Sequence, residues 1–127
     1  MSDCTTRGVR IRVVPAFHSD RSDPSRHRWF FSYTVTIANL GTQPARLISR
    51  HWEITDATGQ VEHVRGEGVV GEQPRLPPGA SFEYTSFCPL PTPFGAMQGS
   101  YRMLLDSGES FDAVIDPFSL EDPSQVN

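Results

Sequence analysis

Residues 28–39 read "RWFFSYTVTIAN", with Trp29, Phe31, Tyr33, Val35 and Ile37 on one parity and Ser32, Thr34 and Thr36 on the other. Strict alternation over this length suits an extended strand with one apolar and one hydroxylated face, and it does not suit a helix. Such a strand has to be covered by a second layer on its apolar side. Shorter alternations recur at Val9, Ile11 and Val13, at Ile48, Trp52 and Ile54, and at Phe82, Tyr84 and Ser86. Two more run through Tyr101, Met103 and Leu105 and through Phe111, Ala113 and Ile115, and "QVEHVRG" (60–66) adds a further segment. The pattern predicts about seven short strands.

The 11 prolines and 10 glycines leave no room for long helices. Turn signals separate the strands at Asn39-Leu40-Gly41, Asp56 to Gly59, Pro77-Pro78-Gly79 and Asp106-Ser107-Gly108. At 127 residues the chain is one domain, 1–127, with a core from about residue 8 to residue 120 and loose ends on both sides. The expected fold is all-β, a sandwich in preference to a small barrel. Two segments break the strand rhythm: "HSDRSDPSRH" (18–27), polar and mobile in composition, and "CPLPTPFGAMQG" (88–99), which calls for a shaped connection.

Charge excludes one class of partner. With a net charge of −4 and a pI near 5.5 the chain offers a phosphate backbone no general attraction, even though Arg7, Arg10, Arg12, Arg21, Arg26 and Arg28 make the first 28 residues basic. Nucleic acid is therefore not an expected partner. No apolar run approaches the ~20 residues that span a bilayer, and the first residues lack a signal-peptide pattern. The expected compartment is the cytoplasm, where Cys4 and Cys88 remain thiols, the first in a loose terminus and the second as a small buried hydrophobe.

"GEGVVG" (66–71) has the spacing of a dinucleotide-binding loop. Such a loop needs a helix after it, because the helix N-terminus receives the pyrophosphate. Here Pro74, Pro77 and Pro78 follow and then a strand, and no acidic residue stands where a ribose would be held. Gly66, Gly68 and Gly71 read first as positions where the chain bulges or approaches another backbone, and second, as the alternative function, as a small-ligand or phosphate/nucleotide site formed by a weak anion nest with Arg65 or Arg75 as counter-charge.

The same region carries a resemblance. "HWEITDATGQVEHVRGEGVVGEQPRLPPGASFEYTS" from residue 51, then "TPFGAMQGSY" from residue 92, closely resembles the ApaG family in the segments Trp52 to Gly59, Val64 to Pro74, Leu76 to Ser86 and Thr92 to Tyr101. "FFSYTVTIANLG" (30–41) is similar to the family's preceding strand and turn. The 19–27 loop is particular to this chain, and the family's usual I-P-x-F ending reads Ile115-Asp116-Pro117-Phe118. The resemblance implies an immunoglobulin- or fibronectin type III-like β-sandwich of about seven antiparallel strands. It also implies a link to cobalt resistance and magnesium efflux, and a protein-binding role, since ApaG-like domains occur in F-box and polymerase-associated proteins.

Catalytic patterns are absent: Ser86 and Cys88 have no adjacent His–acid pair, and the carboxylates are dispersed. No enzyme activity and no cofactor are expected. Of the four histidines, only His51 and His63 could face each other across neighbouring strands, a weak metal candidate without the usual spacing. The Pro-fixed stretch presents Leu90, Phe94 and Met97 either as a partner surface or as cover for the core. Strand edges offer a second route to a protein partner or to a homodimer.

Overall fold

A computed structural model describes residues 1–125. Among them nine strands form two antiparallel sheets. In chain order these are β1 (Ser2–Thr6), β2 (Val9–Phe17), β3 (Trp29–Asn39), β4 (Ala45–Asp56), β5 (Val61–Glu67), β6 (Arg75–Leu76), β7 (Ser81–Leu90), β8 (Phe94–Leu105) and β9 (Ser110–Glu121). One sheet has the order β1-β2-β3-β7; the other runs β5-β4-β8-β9, with β6 also on β4. The expected sandwich is present, with two strands more than the alternation predicts.

The central strand behaves as its parity demands: Trp29, Phe31, Tyr33, Val35 and Ile37 all lie in the core. They face Trp52, Tyr101, Met103, Ile115 and Leu120 from the opposite sheet. Each such side chain removed from water stabilises the fold by about 1.5–3 kcal/mol, so this layer dominates the folding energy.

Two β-bulges decide what the second sheet shows to each side. In β4 the register against β8 steps from Leu47↔Met103 to Ser49↔Arg102, leaving Ile48 as an extra residue. Inward parity is therefore odd before the bulge (Ala45, Leu47) and even after it (Trp52). Alternation alone puts Ile48 on the core face with Trp52; Leu47 holds that place, and Ile48 is the residue that switches the phase. In β9 the register jumps from Gly99↔Ile115 to Met97↔Phe118, so Asp116-Pro117 forms the bulge. A proline has no N–H to give the ladder, and a bulge is where its absence costs least.

The termini are structured, against the expectation of loose ends. β1 is an edge strand on β2, and Ser2 is buried. It lies beside β9, where Val114 N donates to Thr6 Oγ1, so the two sheets meet along this side. Asp122 is buried in the tail, accepts from Trp29 Nε1 at 3.2 Å, and donates its own N–H to Pro93 O. Residues 126 and 127 of the expected loose tail lie outside the described residues. Segment 88–99 is mostly strand, because Pro89 falls on edge strand β7, which tolerates a missing donor.

Asp122→Ala leaves the buried indole N–H of Trp29 without an acceptor. We expect a loss of about 1–3 kcal/mol in urea unfolding, against an unchanged midpoint for Ser124→Ala.

Candidate functional site

The glycine motif is built around a guanidinium. Past the Ile48 bulge, Arg50 turns to the inner side of the sheet, opposite Gly66 on β5. A β-carbon on Gly66 would stand 2.8 Å from Arg50 Nη2, so only glycine lets the guanidinium lie flat there. Arg50 Nη1 donates to the carbonyls of Glu67 and Gly68 at 3.1 and 2.9 Å. Gly68 has φ +62°, and a β-carbon would fall 2.2 Å from Glu72 O. Val70 and Gly71, both at positive φ, make a two-residue turn closed by paired Val69–Glu72 bonds.

These glycines thus serve a close approach to a side chain at Gly66, a close approach to backbone at Gly68 and a tight hairpin at Gly71. The amides of Gly68, Val69 and Glu72 already donate to backbone carbonyls, and the charge the motif receives is a cation on its carbonyls. Arg75 is bound to Asp106 at 2.6 Å. Arg65 has no ion-pair partner among the described residues and lines an open depression of about 440 Å³ with Arg50, His51, Gly66, Arg102 and Asp112, so Arg50 borders this depression too.

His51 and His63 do meet. His51 Nε2 lies 2.9 Å from His63 Nδ1, and the rings stack with centroids 5.2 Å apart. No set of three or more His, Cys, Asp or Glu side chains among the described residues is arranged to hold a metal ion. One ring nitrogen of each histidine is spent on the other ring.

The proposed partner trio does not form a surface. Leu90 and Met97 belong to the core, because β7 and β8 deliver them inward, and Phe94 is only partly buried. An aromatic surface lies elsewhere. Phe87, half-exposed on edge strand β7, packs against Phe30 of β3 with ring centroids 5.4 Å apart. Arg21, from the polar 18–27 segment, places its guanidinium carbon 4.1 Å from the Phe30 ring centre and 5.3 Å from that of Phe87. That segment folds over the sheet: Ser22 Oγ donates to His18 O and accepts from Phe30 N, and His18 Nε2 lies 2.7 Å from Ser32 Oγ. Neither Phe30, off parity in its strand, nor Arg21, in a polar loop, carries a signal in the sequence.

Between the sheets, on the side away from β1 and β9, runs a tyrosine cluster. The hydroxyls of Tyr84 and Tyr101 hydrogen-bond across the sandwich, and Tyr33 packs on Trp52. Burial raises the phenol pKa of all three above the usual value, and the nearby Arg50 charge offsets only part of that rise. Burial likewise pushes the Cys88 thiol up to about 11, so this thiol is no nucleophile at neutral pH. Trp52 Nε1 is buried near the Tyr84 hydroxyl but makes no hydrogen bond of normal geometry.

Known proteins share this outline. The profile of the ApaG domain matches residues 19–105. The chain is 54% identical to Protein ApaG of Anaeromyxobacter dehalogenans strain 2CP-1 over the full length of both. It is 55% identical to Protein ApaG of Maricaulis maris, with 92% of this chain and 90% of that one covered. Among solved structures, a putative ApaA protein from Bordetella pertussis superposes with TM-score 0.90 at 48% identity, covering 94% of this chain and 98% of the other.

Gly68→Ala should destabilise the domain by about 2–4 kcal/mol, adding a backbone clash to the strain of left-handed φ. Gly71→Ala, with φ +79° and open space around the β-carbon, should cost only about 1–2 kcal/mol. Urea unfolding of the two variants checks the order. The tyrosines set a second expectation. Their folded pKa values lie above the unfolded value of about 10, so their contribution is complete below pH 10 and is lost as pH rises past it. Urea midpoints measured from pH 8 to pH 11 should begin to fall near pH 9, where the Cys88 thiol ionises in the unfolded chain, and fall more steeply above about pH 10, the second fall being smaller for Tyr84→Phe.

Proposed function

The chain belongs to the ApaG domain family, and on that premise we propose that it is a non-enzymatic protein-interaction module of the cytoplasm that engages its partner along edge strand β7. One observation carries this reading: exposed Phe87 packs on partly buried Phe30, both rings capped by Arg21, beside a strand edge that pairs with no other strand among the described residues. Aromatic and arginine side chains supply most of the energy in protein interfaces, because they bury large areas at small entropic cost. An unpaired strand edge adds a row of N–H and C=O groups for an extended segment of a partner. A second copy of this chain is the simplest alternative occupant of that edge.

The connection to cobalt and magnesium homeostasis, implied by the family resemblance, runs in this reading through the partner and not through an ion held here. The mutual bond of His51 and His63 supports that assignment. No helix among the described residues is long and apolar enough to cross a membrane, which agrees with the proposed compartment.

Affinity capture with quantitative mass spectrometry tests the proposal, using wild type, Phe87→Asp and, as a control on the opposite sheet, Val114→Asp. We expect a defined partner to be lost with Phe87→Asp and retained with Val114→Asp, both variants keeping the wild-type far-ultraviolet spectrum. An identical set of captured proteins for all three would overturn the β7 assignment. Sedimentation equilibrium separates the homodimer: a monomeric wild type at all concentrations removes it.

A further inference from the structure

The sandwich closes along β1 and β9 but not along β5 and β7. Both of these are edge strands, and no backbone hydrogen bond joins them among the described residues. The seam between them opens into a cleft of about 180 Å³ that reaches the tyrosine cluster. Its walls come from both sheets: Tyr33, Ser86 and Cys88 on one side, Arg50, Trp52 and Val64 on the other. The volume exceeds that of an engineered apolar cavity of about 150 Å³ known to accept benzene.

The chemistry of the walls is mixed: aromatic and aliphatic groups share the lining with the polar groups of Tyr33, Ser86 and Arg50, and the Cys88 thiol stays protonated at neutral pH. Two groups are short of partners. Trp52 is only 2% exposed, and its Nε1–H, which lies near the Tyr84 hydroxyl, makes no hydrogen bond of normal geometry among the described residues. Buried donors without a well-formed bond are uncommon in native proteins. Arg50 is the second: its Nη1 is held by the Glu67 and Gly68 carbonyls, and its charge has no carboxylate partner among the described residues. The same carbonyls fix the guanidinium against Gly66, so it stands at the mouth without a side-chain search.

We infer that this cleft is a binding site for a small monocyclic aromatic carboxylate, its ring between Tyr33, Trp52 and Val64 and its carboxylate toward Arg50 and the Trp52 indole N–H. A ring fits the volume, and an anion answers the Arg50 cation. A neutral ring would fill the space but leave that charge unmatched. The inference does not depend on a protein partner at Phe87.

The test is a titration of the full chain, labelled with nitrogen-15, followed at the two indole N–H resonances, which Trp52→Phe assigns. The probes are sodium benzoate, benzyl alcohol as its neutral analogue and sodium acetate as its headgroup alone. For a ligand of about nine heavy atoms, dissociation constants near about 1 mM are appropriate, so probes are taken to about 20 mM. Benzoate should shift the Trp52 indole saturably and leave that of Trp29, which is held by Asp122, in place. Benzyl alcohol should bind about tenfold more weakly or worse, because it lacks the charge. Val64→Phe, which fills the mouth, should abolish the benzoate shift while leaving the Trp29 indole and the thermal transition unchanged. The inference fails if benzoate gives no saturable shift, or if the shift survives Val64→Phe. Equal binding of benzyl alcohol overturns the anionic class of ligand.

Discussion

One extra residue in β4 governs the rest of this molecule. A strand without the bulge at Ile48 would turn Arg50 outward together with Arg46, and would bring Ser49 and His51 into the core. With the bulge, Trp52 enters the core and Arg50 comes to rest on the inner rim. The guanidinium then requires Gly66 opposite it and finds the carbonyls of Glu67 and Gly68. The glycine-rich motif is therefore shaped around an arginine from the neighbouring strand. A phosphate-binding loop and this one share a spacing because both must let something approach the backbone closely. Here that something is the protein's own side chain, and it meets C=O groups instead of N–H groups.

The sandwich is asymmetric in a way that matters for function. Along β1 and β9 the sheets are brought together, with a Thr6 hydroxyl accepting from a β9 amide. Along β5 and β7 they stand apart, and Tyr33, the Trp52 indole and Arg50 line that gap, with the Tyr84–Tyr101 hydroxyl pair between the sheets. A polar cluster inside a sandwich is costly unless satisfied. The Tyr84–Tyr101 bond satisfies two of its members, and burial keeps them neutral at any ordinary pH. The β7 edge with Phe87 and the cleft behind it both lie on this open side, where backbone and side-chain groups are left without partners from the chain itself.

Much of the fold is legible in the residues. The parity of Trp29 to Ile37, of Val9 to Val13 and of Tyr101 to Met103 is the parity seen, because a strand whose one face must be dry has only one way to meet its partner sheet. The misreadings have local causes. Ile48 looks like a core residue because alternation cannot reveal a bulge before the strand opposite is known. Pro89 reads as loop because a proline's tolerance depends on whether its strand is an edge. The tail around Asp122 reads as loose because its anchor, Trp29, is distant in the chain, and β1, although paired with the adjacent β2, takes its contact across the sandwich from distant β9.

What the sequence by itself determined was the class of structure and the layer that holds it together: alternation sets which side chains are buried, and prolines and glycines set where strands stop. It also argued against a dinucleotide loop, since the helix that such a loop needs cannot follow "GEGVVG". Only the tertiary structure decided what the motif is for, that Leu90 and Met97 are interior, that His51 and His63 hold each other, and where an aromatic surface and an open seam lie. The reason is physical. Parity is a local property of a strand, carried by each residue and its neighbours, whereas the meeting of Arg50 with Gly66 or of Arg21 with Phe30 and Phe87 depends on register between segments far apart in the chain. That register is set only when the two sheets close on one core.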